Sequence, residues 1–95
     1  MKVAMVGHHY PHATHREEFV SRVHRTAEVF RRTPGCLSAE YWLTADGDAV
    51  VSIVEWESEE ASRASLAAVE AAPELDLAYD EREVRPREIV HLVAP

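Results

Sequence analysis

Residues 34–58 read PGCLSAEYWLTADGDAVVSIVEWES: a turn, a strand, a reversal, a second strand and the start of a helix. Pro34-Gly35 closes the helix before it, because proline cannot continue a helix and glycine accepts the left-handed cap. Cys36 to Ala45, rich in aromatic and small apolar residues, predicts a strand. Asp46-Gly47 predicts a two-residue type I′ hairpin loop, which needs positive φ at both positions. Asp48 to Glu57 returns as the partner strand. Counting outward from the loop pairs Ala45 with Asp48, Leu43 with Val50, Tyr41 with Ser52, Ala39 with Val54 and Leu37 with Trp56. These residues share one face, nearly all apolar, which helices should cover. The other face sets Ser38, Glu40, Trp42 and Thr44 against Glu55, Ile53, Val51 and Ala49. Trp42, Val51 and Ile53 are too apolar for water, so a second copy of the chain is expected to cover them as a homodimer.

A length of 95 residues predicts a single domain over 1–95, with 46% hydrophobic and 28% charged residues typical of a globular chain. The formal charge of −7 leaves no basic stripe and argues against a nucleic-acid partner. No apolar run is long enough for a membrane span and no signal-peptide pattern appears, so a cytoplasmic protein is expected. The single cysteine, Cys36, excludes an internal disulfide and reads as inert packing.

Outside the hairpin, Lys2 to His8 predicts a first strand alternating two semi-apolar faces. Thr14 and Glu17 have the spacing of a capping box, opening a helix from His15 to about Arg32. Phe19, Val23, Ala27 and Phe30 form its core stripe, with Val20 and His24 at the margin and Arg22 among the solvated charges. Ser58 caps a second helix whose Ala61, Ala64, Ala68, Leu66 and Val69 make a small-residue face, and Pro73 ends it. Residues 73–81 form a linker, helical or extended, in which Leu75, Leu77 and Tyr79 can pack down. Arg82 to Val93 predicts the last strand, with Pro86 at an edge or bulge. The order is β-α-β-β-α-β, an α+β ferredoxin-like domain with two helices on one face of a four-stranded antiparallel sheet.

The helix ending in Pro34-Gly35-Cys36-Leu37, the Asp46-Gly47 hairpin and the run Val54-Glu55-Trp56-Glu57-Ser58-Glu59-Glu60-Ala61 resemble the antibiotic biosynthesis monooxygenase family of dimeric α/β barrels. The resemblance spans roughly Val3 to Val93. It implies a homodimer whose two sheets close into a barrel, with a pocket between each sheet and its helices. It also implies oxidation of aromatic polyketide intermediates to quinones by dioxygen, with no cofactor, metal or flavin. The wider superfamily includes haem degraders, lactone isomerases and members without known activity. Its haem-degrading branch relies on an asparagine in the first strand and a histidine on the second helix. This chain has no asparagine, and residues 58–72 contain no histidine.

For such a reaction the residues that suit catalysis are Trp56, Tyr41, His24 and His91. Trp56 ends a strand on the helix-facing side. Tyr41 pairs across the hairpin with Ser52, two hydroxyls that need partners on an apolar face. A neutral imidazole, His24 or His91, is the natural base for a phenol or an anthrone carbon acid. Phe30, Ser52 and Tyr79 complete the expected wall and hydrogen bonds around a small aromatic ligand. Each side chain has a structural alternative: Trp56 as core, Tyr41 and Ser52 bonded to each other, the histidines bonded to carbonyls. His8, His9, His12 and His15 include metal-ligand spacing, but they span a strand end, a proline loop and a helix cap, and no functional metal is expected there. A non-catalytic binding or accessory protein, or an isomerase or cyclase, would suit the same fold.

Overall fold

A computed structural model describes residues 1–95. Strand β1 (Val3–His9) leads through a 3-10 turn (Ala13–His15) into helix α1 (Arg16–Arg32). Strands β2 (Cys36–Leu43) and β3 (Val50–Trp56), helix α2 (Glu59–Glu70), a 3-10 turn (Pro73–Leu75) and strand β4 (Glu88–Val93) follow. All strand pairs are antiparallel in the order β2-β3-β1-β4, which is the ferredoxin-like arrangement. No helix is long and apolar enough to cross a membrane.

The hairpin keeps the counted register at Ala39–Val54, Tyr41–Ser52 and Leu43–Val50, but its loop is not type I′. Only Gly47 has a positive φ, 79°. The Asp46 carboxylate accepts from the Thr44 hydroxyl at 2.7 Å and from the Asp48 N–H at 2.9 Å. Asp46 therefore acts as a turn acceptor with ordinary backbone, and the reversal widens across residues 44–49. At the other end the ladder shifts between Cys36 and Ser38, so Trp56 faces Cys36. Leu37, expected opposite Trp56, bulges out and is 55% exposed.

The core joins Ala27 and Phe30 of α1, Ala39 of β2, Val54 and Trp56 of β3, Ala61 and Val69 of α2, and Leu75. Trp56 is buried and meets the Phe30 ring edge-on, with centroids 5.7 Å apart. Its burial contributes about 2–3 kcal/mol. The Ser58 hydroxyl accepts from the Ala61 N–H at 3.1 Å, closing the α2 N-terminus as expected. The buried stripe of α2 is Ala61, Ser65 and Val69, a spacing of four, and Ala64 faces out. Ser65 bonds the Thr33 hydroxyl, which draws that polar residue inward.

Three other expectations are corrected. The Thr14 capping box does not form: Thr14 lies inside the 3-10 turn, and His15 precedes α1 without a side-chain cap. Arg22 leaves the solvated side and is buried. β4 begins at Glu88 rather than Arg82. Residues 82–84 pair instead with the loop after β1: His12 N–H reaches the Arg82 carbonyl at 2.8 Å and Val84 N–H the Tyr10 carbonyl at 2.7 Å. Of the linker residues, Leu75 is buried, Leu77 is half-buried and Tyr79 is exposed.

Candidate active site

Between the sheet and α1 lies a cavity of about 260 Å³, just below the roughly 300 Å³ at which small-molecule sites begin. Met5, Gly7 and His9 of β1, Ser52 and Val54 of β3, and Ile89 of β4 form its floor. The roof is the expected α1 stripe, Phe19, Val23, Ala27 and Phe30, joined by Arg22 and Thr26. Leu66 and Val69 of α2 close one side, with Leu77 and Arg87 from the segment before β4. The lining is mainly apolar, with a few convergent polar groups.

Polar lining is contributed by Glu40 of β2, Ser52 of β3, Thr26 of α1 and Glu70 of α2, while His9, Arg22 and Arg87 gather at the C-terminal end of β1. The His9 ring packs against Phe19, with centroids 5.4 Å apart. Its Nδ1 stands 3.7 Å from Glu83 Oε1, and neither atom has a hydrogen-bond partner. Glu83 is buried and accepts from Arg87 Nη2 at 2.5 Å, while Arg87 Nη1 donates to the Leu77 carbonyl at 2.9 Å. Arg22 donates to the Asp76 carbonyl and lies 2.8 Å from Glu18 Oε1, an ion pair without hydrogen-bond alignment. Burial, seconded by the Arg87 charge, lowers the His9 pKa to about 4 against the pull of Glu83. His9 is therefore a neutral imidazole at neutral pH.

The residues singled out in the sequence divide into three groups. Phe30 and Ser52 line the cavity. Trp56 lies behind Phe30, fully buried, with its Nε1 unpartnered. Tyr41 and His24 meet: His24 Nδ1 lies 2.7 Å from the Tyr41 hydroxyl and Nε2 lies 2.9 Å from Glu28 Oε1. This pair sits outside the cavity lining, and His24 is half exposed rather than turned inward. His91 is in register with Met5 on the helix-facing side, yet it is exposed and does not line the cavity. Helices α1 and α2 pack against β2 and β3, and edge strand β4 has no comparable helix above it, which explains the exposure of His91. Tyr79 also lies outside, half exposed beside Arg87.

Sequence reading missed His9, Arg22, Glu83 and Arg87. Ending the first strand at His8 left His9 in a loop. One more strand residue puts it in phase with Val3, Met5 and Gly7, and this two-residue phase was the available signal. No local pattern marked Glu83 or Arg87, since residues 76–87 carry no regular periodicity. The four N-terminal histidines do not converge, and no three His, Cys, Asp or Glu side chains form a metal-holding group.

A family model described as antibiotic biosynthesis monooxygenase matches residues 3–72. No curated protein sequence matches the chain. Among solved structures, SnoaB from Streptomyces nogalater, described as a cofactor-independent oxygenase and solved as a mutant, is similar at 26% identity and TM-score 0.76. That match covers 98% of this chain and 92% of SnoaB. The monooxygenase from the ActVA-Orf6 gene of Streptomyces coelicolor, in complex with nanaomycin D, is similar at 27% identity and TM-score 0.69, covering 99% and 87% of the two chains. Rv0793 from Mycobacterium tuberculosis shares the fold at 20% identity and TM-score 0.80, covering 100% and 96%.

Proposed function

The chain belongs to the antibiotic biosynthesis monooxygenase family, and we propose that it oxidises a small electron-rich aromatic, anthrone- or hydroquinone-like, with dioxygen and without a cofactor. The observation that carries this proposal is the sheltered, mainly apolar cavity under α1, with a neutral imidazole and two guanidinium groups at one end. A base removes a substrate proton, and the electron pair left behind makes an anion able to pass one electron to dioxygen. The two radicals join through a new C–O bond, and the hydroperoxide loses water to leave a quinone. An apolar wall favours this sequence because it keeps bulk water from the anion and the radicals.

In this scheme Phe30 and Val23 flank the aromatic ring, Trp56 stiffens Phe30 from behind, and Ser52 donates a hydrogen bond to a substrate oxygen. Arg22 and Arg87, paired with Glu18 and Glu83, bring positive charge to the end where the anion forms, and the Glu40 and Glu70 carboxylates of the same cavity oppose it. Tyr41 with His24, and His91 and Tyr79, lie too far outward for direct roles in one protomer. We further propose that Trp42, Val51 and Ile53 form the centre of a homodimer interface. Trp42 is 59% exposed and Ile53 37% exposed, with Val90 and Leu92 of β4 extending the same face.

Oxygen uptake tests the activity, using metal-stripped protein with a panel of anthrones and hydroquinones. Uptake that requires the protein and survives chelator supports the monooxygenase. Binding of the same aromatics without oxygen consumption overturns it in favour of a binding or accessory protein. Conversion of the substrate without oxygen consumption identifies an isomerase or cyclase.

A further inference from the structure

We propose that His9 is the proton acceptor of the cavity, with Glu83 positioning its imidazole and Gly7 leaving the space in which a substrate hydroxyl reaches it. This inference rests on the oxygenase proposal for the reaction that follows, and on geometry for the site itself.

Gly7 and His9 share the helix-facing side of β1, and both line the cavity with Ile89. A Cβ added at Gly7 would stand 3.2 Å from His9 Nε2 and 3.0 Å from Ile89 Cδ1. The His9 ring therefore leans back over Gly7, with Nε2 directed toward the middle of the sheet. Gly7 does not have a positive φ, so the backbone does not demand glycine there. What its missing side chain supplies is room.

On the other edge of the ring, Nδ1 looks toward Glu83. The loop after β1 is pinned to the glutamate's segment by the Pro11–Glu83 bridge and the Val84-to-Tyr10 hydrogen bond. Arg87 holds the second carboxylate oxygen. A histidine buried only for packing normally spends its N–H on a carbonyl or carboxylate. Here Nδ1 and Oε1 are both unpartnered and 3.7 Å apart, a gap of the kind that tightens when a base takes up its proton.

The charges facing His9 favour a neutral resting state. Arg87 from the segment before β4, Arg22 from α1 and His8 from its own strand oppose protonation, while Glu83 favours it. When the substrate O–H bond breaks, the proton goes to Nε2 and the electron pair stays on the aromatic as phenolate or enolate. The imidazolium then lies between two negative groups, Glu83 and the substrate anion. After the anion has reduced dioxygen and the C–O bond has formed, Nε2 returns the proton to the peroxide oxygen. His9 ends neutral.

The test combines imidazole nitrogen NMR on the wild-type chain with 4-nitrophenol, whose anion is coloured, and oxygen uptake by variants. With 4-nitrophenol bound, the phenolate band should appear below the free phenol's pKa, and the His9 nitrogens should shift together to the imidazolium pattern. His9→Gln should abolish the band and lower oxygen uptake by about 100-fold or more. Glu83→Gln should keep phenol binding but move the pH profile of the band upward, and a purely structural Glu83 would not move it. Gly7→Ala should weaken phenol binding by displacing the ring.

A His9 that stays neutral with phenol bound, or a His9→Gln chain that consumes oxygen like wild type, overturns the assignment. The wild-type NMR decides the matter even if a variant does not fold. Proton transfer to His9 without oxygen uptake from any anthrone would refute the oxygenase and leave the acceptor standing. Uptake that survives loss of His9 would do the reverse.

Discussion

Acidification should weaken this fold through His9 more than through any neighbouring group. The imidazole is 14% exposed at its side chain, packed on Phe19 and faced by two guanidinium groups, and its pKa falls from 6.5 to about 4. A lowered histidine pKa means that the unfolded chain binds the proton more tightly. Stability from this group is thus complete above the unfolded value and falls as the pH drops toward the folded one. The two values set a loss of about 2 kcal/mol at pH 5 and about 3 kcal/mol at pH 4. Against a total of roughly 5–15 kcal/mol for a small domain, that is a large share. Asp80, lowered to about 2 by its Arg82 partner, titrates below this window and is exposed. The assay is urea unfolding at one fixed protein concentration from about pH 7 to 4.5, for wild type and His9→Gln, followed by tryptophan fluorescence. The wild-type free energy should fall more steeply than that of the variant. Parallel curves would refute a buried neutral His9, and with it the environment drawn for the cavity.

Three other outcomes follow from the packing. Gly35→Ala should destabilise by about 2–4 kcal/mol in the same assay: its φ is 86°, and the new Cβ would meet Ala61 Cβ at 2.6 Å. Removing the Ala61 methyl with Ala61→Gly should recover the largest steric contact and leave the dihedral part and the close approach to the Glu57 side chain. Trp56→Ala should cost about 3–5 kcal/mol, because Trp56 is 1% exposed and its loss opens a hole behind Phe30. Trp42→Glu with Ile53→Glu should turn a sedimenting dimer into a folded monomer with unchanged circular dichroism, and a dimer that persists would disprove the proposed interface.

The hairpin was legible because two local rules agree in it. Alternation assigned faces, and the Asp-Gly reversal placed the register correctly from Ser38 to Leu43 even though the loop closes differently and the bulge at Leu37 shifts the pairing of Trp56. The loop type was missed because Asp46 spends its carboxylate on Thr44 and Asp48, a hydrogen-bonding choice that dipeptide statistics do not contain. The α1 stripe was also legible, and Phe19, Val23, Ala27 and Phe30 all reach the cavity. His24 and His91 were chosen for chemistry and facing, yet facing does not give depth. His24 sits where α1 overhangs Tyr41, and His91 lies on an edge strand that the helices leave open.

By itself the amino-acid sequence determined the element order, the strand faces, the hairpin register from Ser38 to Leu43, the α1 core stripe and the Ser58 cap. All of these follow from periodicity and from hydrogen bonds between residues close in the chain. Only the tertiary structure decided which polar groups are withdrawn from water. His9, Arg22, Glu83 and Arg87 come from β1, α1 and an aperiodic segment near the C-terminus, up to 78 positions apart. Their burial and mutual charge arise only when the loop after β1 pairs with residues 82–84, because desolvation and Coulomb forces depend on distance in space.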